Sequence, residues 1–115
     1  EAIDLFAAAS AKGHGGASFY LGLAYDGLLE GSDVELDTAA AARCYRRAAD
    51  TGHRQAQFNL GYAYKNGDGV EVDLEEALKW YGMAAEQGDG RSAFQLGLAY
   101  DPLHEEVVLP VEGGK

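Results

Sequence analysis

One stretch near the middle of the chain recurs before and after itself. Leu60, Gly61, Ala63 and Tyr64 meet Leu96, Gly97, Ala99 and Tyr100 at a spacing of 36. Upstream, Leu21-Gly22-Leu23-Ala24-Tyr25 carries the same core at a spacing of 39. A second block repeats as well. Asp37, Ala41, Tyr45, Ala48, Ala49 and Gly52 stand 36 residues before Asp73, Ala77, Tyr81, Ala84, Ala85 and Gly88. The three extra residues therefore lie between Tyr25 and Asp37, in the loop from Gly27 to Leu36. A period of this length limits the chain to stacked supersecondary units, each burying its apolar face on a neighbour.

Both halves of the unit read as helices. Ala56, Leu60, Ala63 and Tyr64 follow the i, i+4, i+7, i+8 pattern of one helical face, and Phe58, Tyr62 and Lys65 mark a second. Gly61 falls mid-helix, where glycine costs about 1 kcal/mol against alanine. Its return as Gly22 and Gly97 points to a close approach that a side chain would block. Asp73 and Glu76 form a capping-box-like start for the second helix. Gly88 and Gly52, with Gly13, read as residues just past a helix end. The expected helices span 1–12, 15–27, 37–50, 54–66, 73–87 and 90–100.

Ala56, Leu60, Gly61, Tyr64, Gly67, Gly69, Val70, Asp73, Ala77, Trp80, Tyr81, Ala84, Ala85 and Gly88 together resemble the SEL-one-like repeat, a relative of the tetratricopeptide repeat. The resemblance covers about residues 1–101; the preceding unit departs from it with Cys44 in place of Trp80 and a longer loop. It implies an all-α, right-handed α/α solenoid used for protein–protein scaffolding. The expected division is 1–13 as the second helix of a preceding repeat, 14–52 and 53–88 as complete repeats, 89–101 as a further first helix, and 102–115 as an extended tail. The tail's Val107-Val108-Leu109-Pro110-Val111 has no helical period and reads as a docking segment.

Net charge is −10, which argues against nucleic acid and against anionic membranes. No apolar run approaches the roughly 20 residues of a membrane span. With neither an initiator Met nor a signal peptide, the chain reads as a piece of something longer. One cysteine forms no internal disulfide, which favours a cytoplasmic or organelle-interior setting over secretion.

No catalytic constellation stands out, so no enzymatic activity, cofactor or metal is expected. The run Asn66-Gly67-Asp68-Gly69 lacks the ligand spacing of a calcium loop and the lysine of a phosphate loop; it reads as a turn with glycines at positive φ. His14 and His53 follow the turn glycines one repeat apart and read as solvent-exposed helix starts rather than a metal site. Cys44 takes the place of Trp80 on a packed face and reads as a small buried hydrophobe. Glu75-Glu76 reads as helical surface charge. Arg43, Arg46 and Arg47 are the one basic cluster, read either as a solvated outer face or as a patch for an acidic partner.

The resulting expectation is an interaction scaffold for a protein or peptide within a larger assembly. By resemblance to tetratricopeptide relatives, the first helices line a concave groove. That places Phe19, Phe58 and Phe94 toward it, with Leu23, Tyr62 and Leu98 one turn on, then Asp26, Lys65 and Asp101; Lys65 and Arg91 supply charged flanks. The Phe positions read equally as inter-repeat core. Two alternatives stay open: a structural subunit held through its ends and tail, and a hydrolase, an activity credited to some relatives of this repeat.

Overall fold

Aspartate caps and turn glycines set the helix boundaries. The Asp37 carboxylate accepts from the Ala40 N–H at 3.0 Å, and Asp73 accepts from the Glu76 N–H at 3.2 Å. These bonds satisfy backbone donors that the first helical turn leaves without partners. The reciprocal half of the expected capping box is not made. The Asp73 N–H donates to the Tyr64 carbonyl at 2.9 Å, as the Asp37 N–H donates to the Tyr25 carbonyl at 2.8 Å. Each second helix is thereby tied at its start to the end of the first.

The second helices end in a Schellman motif. The His53 N–H reaches the Ala48 carbonyl and the Gly52 N–H reaches that of Ala49; Asp89 and Gly88 do the same with Ala84 and Ala85. The motif needs a left-handed residue, and Gly52 and Gly88 supply it with φ of 94° and 90°.

The computed structural model describes residues 7–9 and 12–100. It contains α1 (Gly15–Tyr25), α2 (Thr38–Asp50), α3 (Arg54–Asn66), α4 (Leu74–Glu86) and α5 (Gly90–Tyr100), and residues 7–9 are helical too. No strand occurs among the described residues. All five helices start and stop within two residues of the expected positions. The expectations for 1–6, 10–11 and the tail lie outside the described residues.

Each helix packs chiefly on those before and after it in sequence, the arrangement of an α/α solenoid. The core joins both units: Phe19, Tyr45 and Ala48 meet Ala56, Leu60 and Trp80. The recurrent glycine has the role its spacing predicts in both complete units. A Cβ on Gly22 would come within 2.6 Å of the Tyr45 ring, and one on Gly61 within 2.9 Å of the Tyr81 ring. Cys44 is buried at 6% exposure, as expected, and burial pushes its thiol pKa up.

Arg46 departs from the expected solvated outer face. Its guanidinium donates to the Tyr64 hydroxyl, lies 5.6 Å from the centre of the Trp80 ring, and sits 3.8 Å from Glu76 Oε1. The same Glu76 oxygen accepts from Trp80 Nε1 at 3.2 Å. Arg46 therefore joins α2 to α3 and α4. Its planar head lies over the Tyr64 and Trp80 rings at 5.9 and 5.6 Å from their centres.

Candidate functional site

The site is a cleft of ≈410 Å³ between the first unit and α3. Its floor is made of small side chains, Thr38, Ala41 and Ala42 of α2 and Ala63 of α3. Tyr45, Phe58, Asn59 and Tyr62 wall it, and Asp26, Leu28 and Asp68 stand around its mouth. The glycine loop brings Asp68 there. Gly67 and Gly69 take φ of 72° and 82°, and a Cβ on Gly69 would run into the Thr38 carbonyl. The positive φ values are those expected of this loop, and the structure adds that it lies directly on the start of α2.

Tyr45 anchors one side of the mouth. Its hydroxyl donates to Asp26 Oδ2 at 3.0 Å, and Asn59 lies within hydrogen-bonding reach of the same hydroxyl. Burial pushes the Asp26 carboxyl pKa up, the Tyr45 bond works against that, and the charge of Asp68 adds to it. Tyr81 is the repeat counterpart of Tyr45, but Lys65 stands where Asp26 does. The Tyr81 hydroxyl is buried without a partner, and burial pushes its pKa up to about 12. Lys65 turns instead to Gln95, at 2.8 Å.

The eight residues expected to meet a partner divide. Phe58 and Tyr62 line the cleft together, with ring centres 6.4 Å apart, and Tyr62 is 51% exposed. Lys65 is exposed beyond it on α3. Arg91 covers the outer side of Phe58, its guanidinium 4.1 Å from the ring centre. Arg91 also pairs with Asp89 through two contacts of 3.2 Å. Burial alone would raise the Asp89 carboxyl pKa; the hydrogen bonds and charge of Arg91, with the Ser92 N–H, outweigh it and hold the pKa down. Phe94 is 64% exposed and Leu98 half-buried, both on α5 and away from the cleft residues.

Phe19 and Leu23 belong to the packing instead. Phe19 is 7% exposed and Leu23 packs against the core. A residue of the next unit closes the first two Phe positions: the His53 ring stacks on Phe19 at 4.7 Å, as the Arg91 guanidinium does on Phe58. The groove is also not built from first helices alone, since α2 provides its floor. The repeat register singled out Asp26 but passed over Tyr45, Asn59 and Asp68. The one available signal was the exchange of Asp26 for Lys65 at equivalent positions.

His53 is half-buried rather than a solvent-exposed helix start. Its Nδ1 accepts from the Ala56 N–H at 3.1 Å and so caps α3. Only an unprotonated Nδ1 does this, and burial lowers the His53 pKa from its ordinary 6.5. In the window below 6.5 the unfolded chain therefore binds more protons than the folded one. The stabilisation is complete above 6.5 and is lost as pH falls through the folded-state value. Thermal melts between about pH 7.5 and 5.5 should show the midpoint falling, with a shallower fall in His53→Asn, which caps without titrating there. Equal slopes would remove His53 from the pH response.

Among the described residues no group of His, Cys, Asp and Glu is placed to hold a metal ion, and no helix is long and apolar enough to cross a membrane. A family model described as the Sel1 repeat matches residues 16–53 and 54–89. Among solved structures, the chain is similar to a protective antigen present in uropathogenic Escherichia coli strains, described as displaying an SLR fold. That match has 39% identity over 85% of this chain, with a TM-score of 0.79. A Sel1 repeat protein from Oxalobacter formigenes is 34% identical over 89% of this chain, with a TM-score of 0.81. The chain spans 20% and 41% of the lengths of those two proteins. Comparison with curated proteins gives no match. Sel1 repeat proteins are generally protein-interaction scaffolds. Two consecutive matched repeats and helices stacked in sequence order make this chain a member of the Sel1 repeat family.

Proposed function

We propose that this segment is a non-catalytic scaffold that offers its inter-unit cleft to a protein or peptide partner. The observation that carries the reading is an apolar recess walled by Phe58 and Tyr62, with half of Tyr62 open to solvent. Aromatic anchors of this kind concentrate binding energy when a partner excludes water from them. Lys65 and Arg91 flank the wall, and Phe94 and Leu98 extend the surface along α5.

The test is a titration against the partner recovered with this chain as bait. Tyr62→Ala removes an exposed side chain, so the helical far-UV signal should persist. Binding should weaken by about thirtyfold, the loss of about 2 kcal/mol typical of a buried aromatic anchor. Arg43→Ala, on the exposed face of α2, serves as the control and should bind as the parent does. Arg46 is unsuitable for that purpose because it joins the two units. If Arg43→Ala abolishes binding and Tyr62→Ala does not, the working surface is the outer face of the second helices.

A further inference from the structure

We propose that the cleft seats a lysine or arginine side chain of an extended partner peptide, with its charged head between Asp26 and Asp68 and its aliphatic stem along Phe58 and Tyr62. This rests on the reading of the cleft as the docking surface and adds the chemistry of what docks.

Unbalanced charge is the first argument. Among the described residues four carboxylates are buried or half-buried: Asp26, Asp68, Glu76 and Asp89. Glu76 faces Arg46 and Lys79 at 3.8 Å each, and Asp89 faces Arg91 at 3.2 Å. No described cation lies within ion-pair distance of Asp26 or Asp68, and no described lysine, arginine or histidine lines the cleft. The two carboxylates feel each other instead, which raises the Asp26 pKa further. A cation between them would relieve that repulsion and gain two partners whose desolvation is already partly met.

Shape is the second. A lysine or arginine stem buries its methylenes on apolar surface while the head keeps polar company. The cleft's volume of ≈410 Å³ and its small lining side chains leave room for a stem, and the Phe58 and Tyr62 rings offer it apolar surface. The Tyr45 hydroxyl holds the Asp26 carboxylate in a fixed orientation at 3.0 Å, so little side-chain freedom remains to be lost on binding. The net charge of −10 steers basic partners toward the whole segment.

Three blocked peptides serve as probes: Ala-Leu-Lys-Leu-Ala, the same sequence with acetyl-lysine, and the same with glutamate. Each is titrated into the isotope-labelled full chain and followed by amide chemical shifts. The lysine peptide should move the signals of Asn59, Tyr62 and Asp68. Its affinity should fall at least about tenfold on acetylation, and by a similar factor in the double variant Asp26→Asn, Asp68→Asn. Those substitutions keep shape, and the amide of the first retains an acceptor for the Tyr45 hydroxyl. Equal binding of the acetylated peptide, or undiminished binding by the double variant, overturns the cationic occupant. The docking surface itself would then still stand if Tyr62→Ala abolished that binding. No cleft shifts with any of the peptides would overturn the proposal. So would n-butylammonium binding as tightly as the lysine peptide, since a small amine would then be the occupant.

Discussion

Replacing Gly61 by leucine is expected to destabilise the chain by about 3 kcal/mol or more, through overpacking. Even the first carbon of the new side chain would lie 2.9 Å from two atoms of the Tyr81 ring and 3.2 Å from the Ala77 carbonyl oxygen. Neither can yield cheaply. Tyr81 is 1% exposed, and the carbonyl belongs to the backbone of α4. The gain in helix propensity on leaving glycine is about 1 kcal/mol and cannot offset separation of α3 from α4. Gly82, the neighbour of that tyrosine in α4, has nothing within 4 Å of where its Cβ would stand. Gly82→Ala should therefore stabilise by up to about 1 kcal/mol. The check is urea denaturation of both variants beside the parent. An unchanged midpoint for Gly61→Leu would mean that the α3–α4 contact is looser than its geometry shows.

Trp80→Ala is expected to cost about 3–5 kcal/mol, the range for removing a buried tryptophan from a core. Trp80 is 3% exposed and belongs to the cluster that joins both units. Its loss removes the donor to Glu76 and the ring beneath Arg46 and Lys79. Arg46 Nε is already buried without a partner, so a collapsed cavity beside it would worsen a group that is poorly satisfied. Small domains are stable by only about 5–15 kcal/mol, so this loss takes a large share of the total and should lower the unfolding midpoint clearly. Thermal unfolding followed by far-UV circular dichroism suits this test, since Trp80 is the sole tryptophan and fluorescence is lost with it. A destabilisation below about 1 kcal/mol would show that Arg46 and Trp80 do not join the units.

The contrast between Gly61 and Gly82 marks how far a repeat can be read without coordinates. Gly22 and Gly61 recur in register, and recurrence of a helix-breaking residue has few explanations besides a close approach. Gly82 has no counterpart in the preceding unit, where Arg46 stands, and it proves to be open. Gly97 is in register but has nothing within 4 Å of its Cβ position, because among the described residues no second helix follows it.

The order and length of the helices and the aspartate caps of α2 and α4 were determined by the sequence itself. They follow from interactions within a few residues: an aspartate accepting from an N–H three positions on, a glycine at positive φ, and an apolar stripe at helical period. The family assignment rests on the same local pattern repeated. What only the tertiary structure decided is how equivalent positions differ. Phe19, Phe58 and Phe94 share one register. The first lies under His53, the second under Arg91, and the third is open, because exposure depends on what the next unit places above each. Arg46 left its expected outer face for the same reason, since Trp80 and Tyr64 of the next unit offer it stacking surfaces. Tyr45 and Asp26 meet inside one unit, 19 residues apart, whereas Asn59 and Asp68 come from the next unit. That the two pairs share one cleft depends on how the units stack, and the spacing within a single unit carries no record of it.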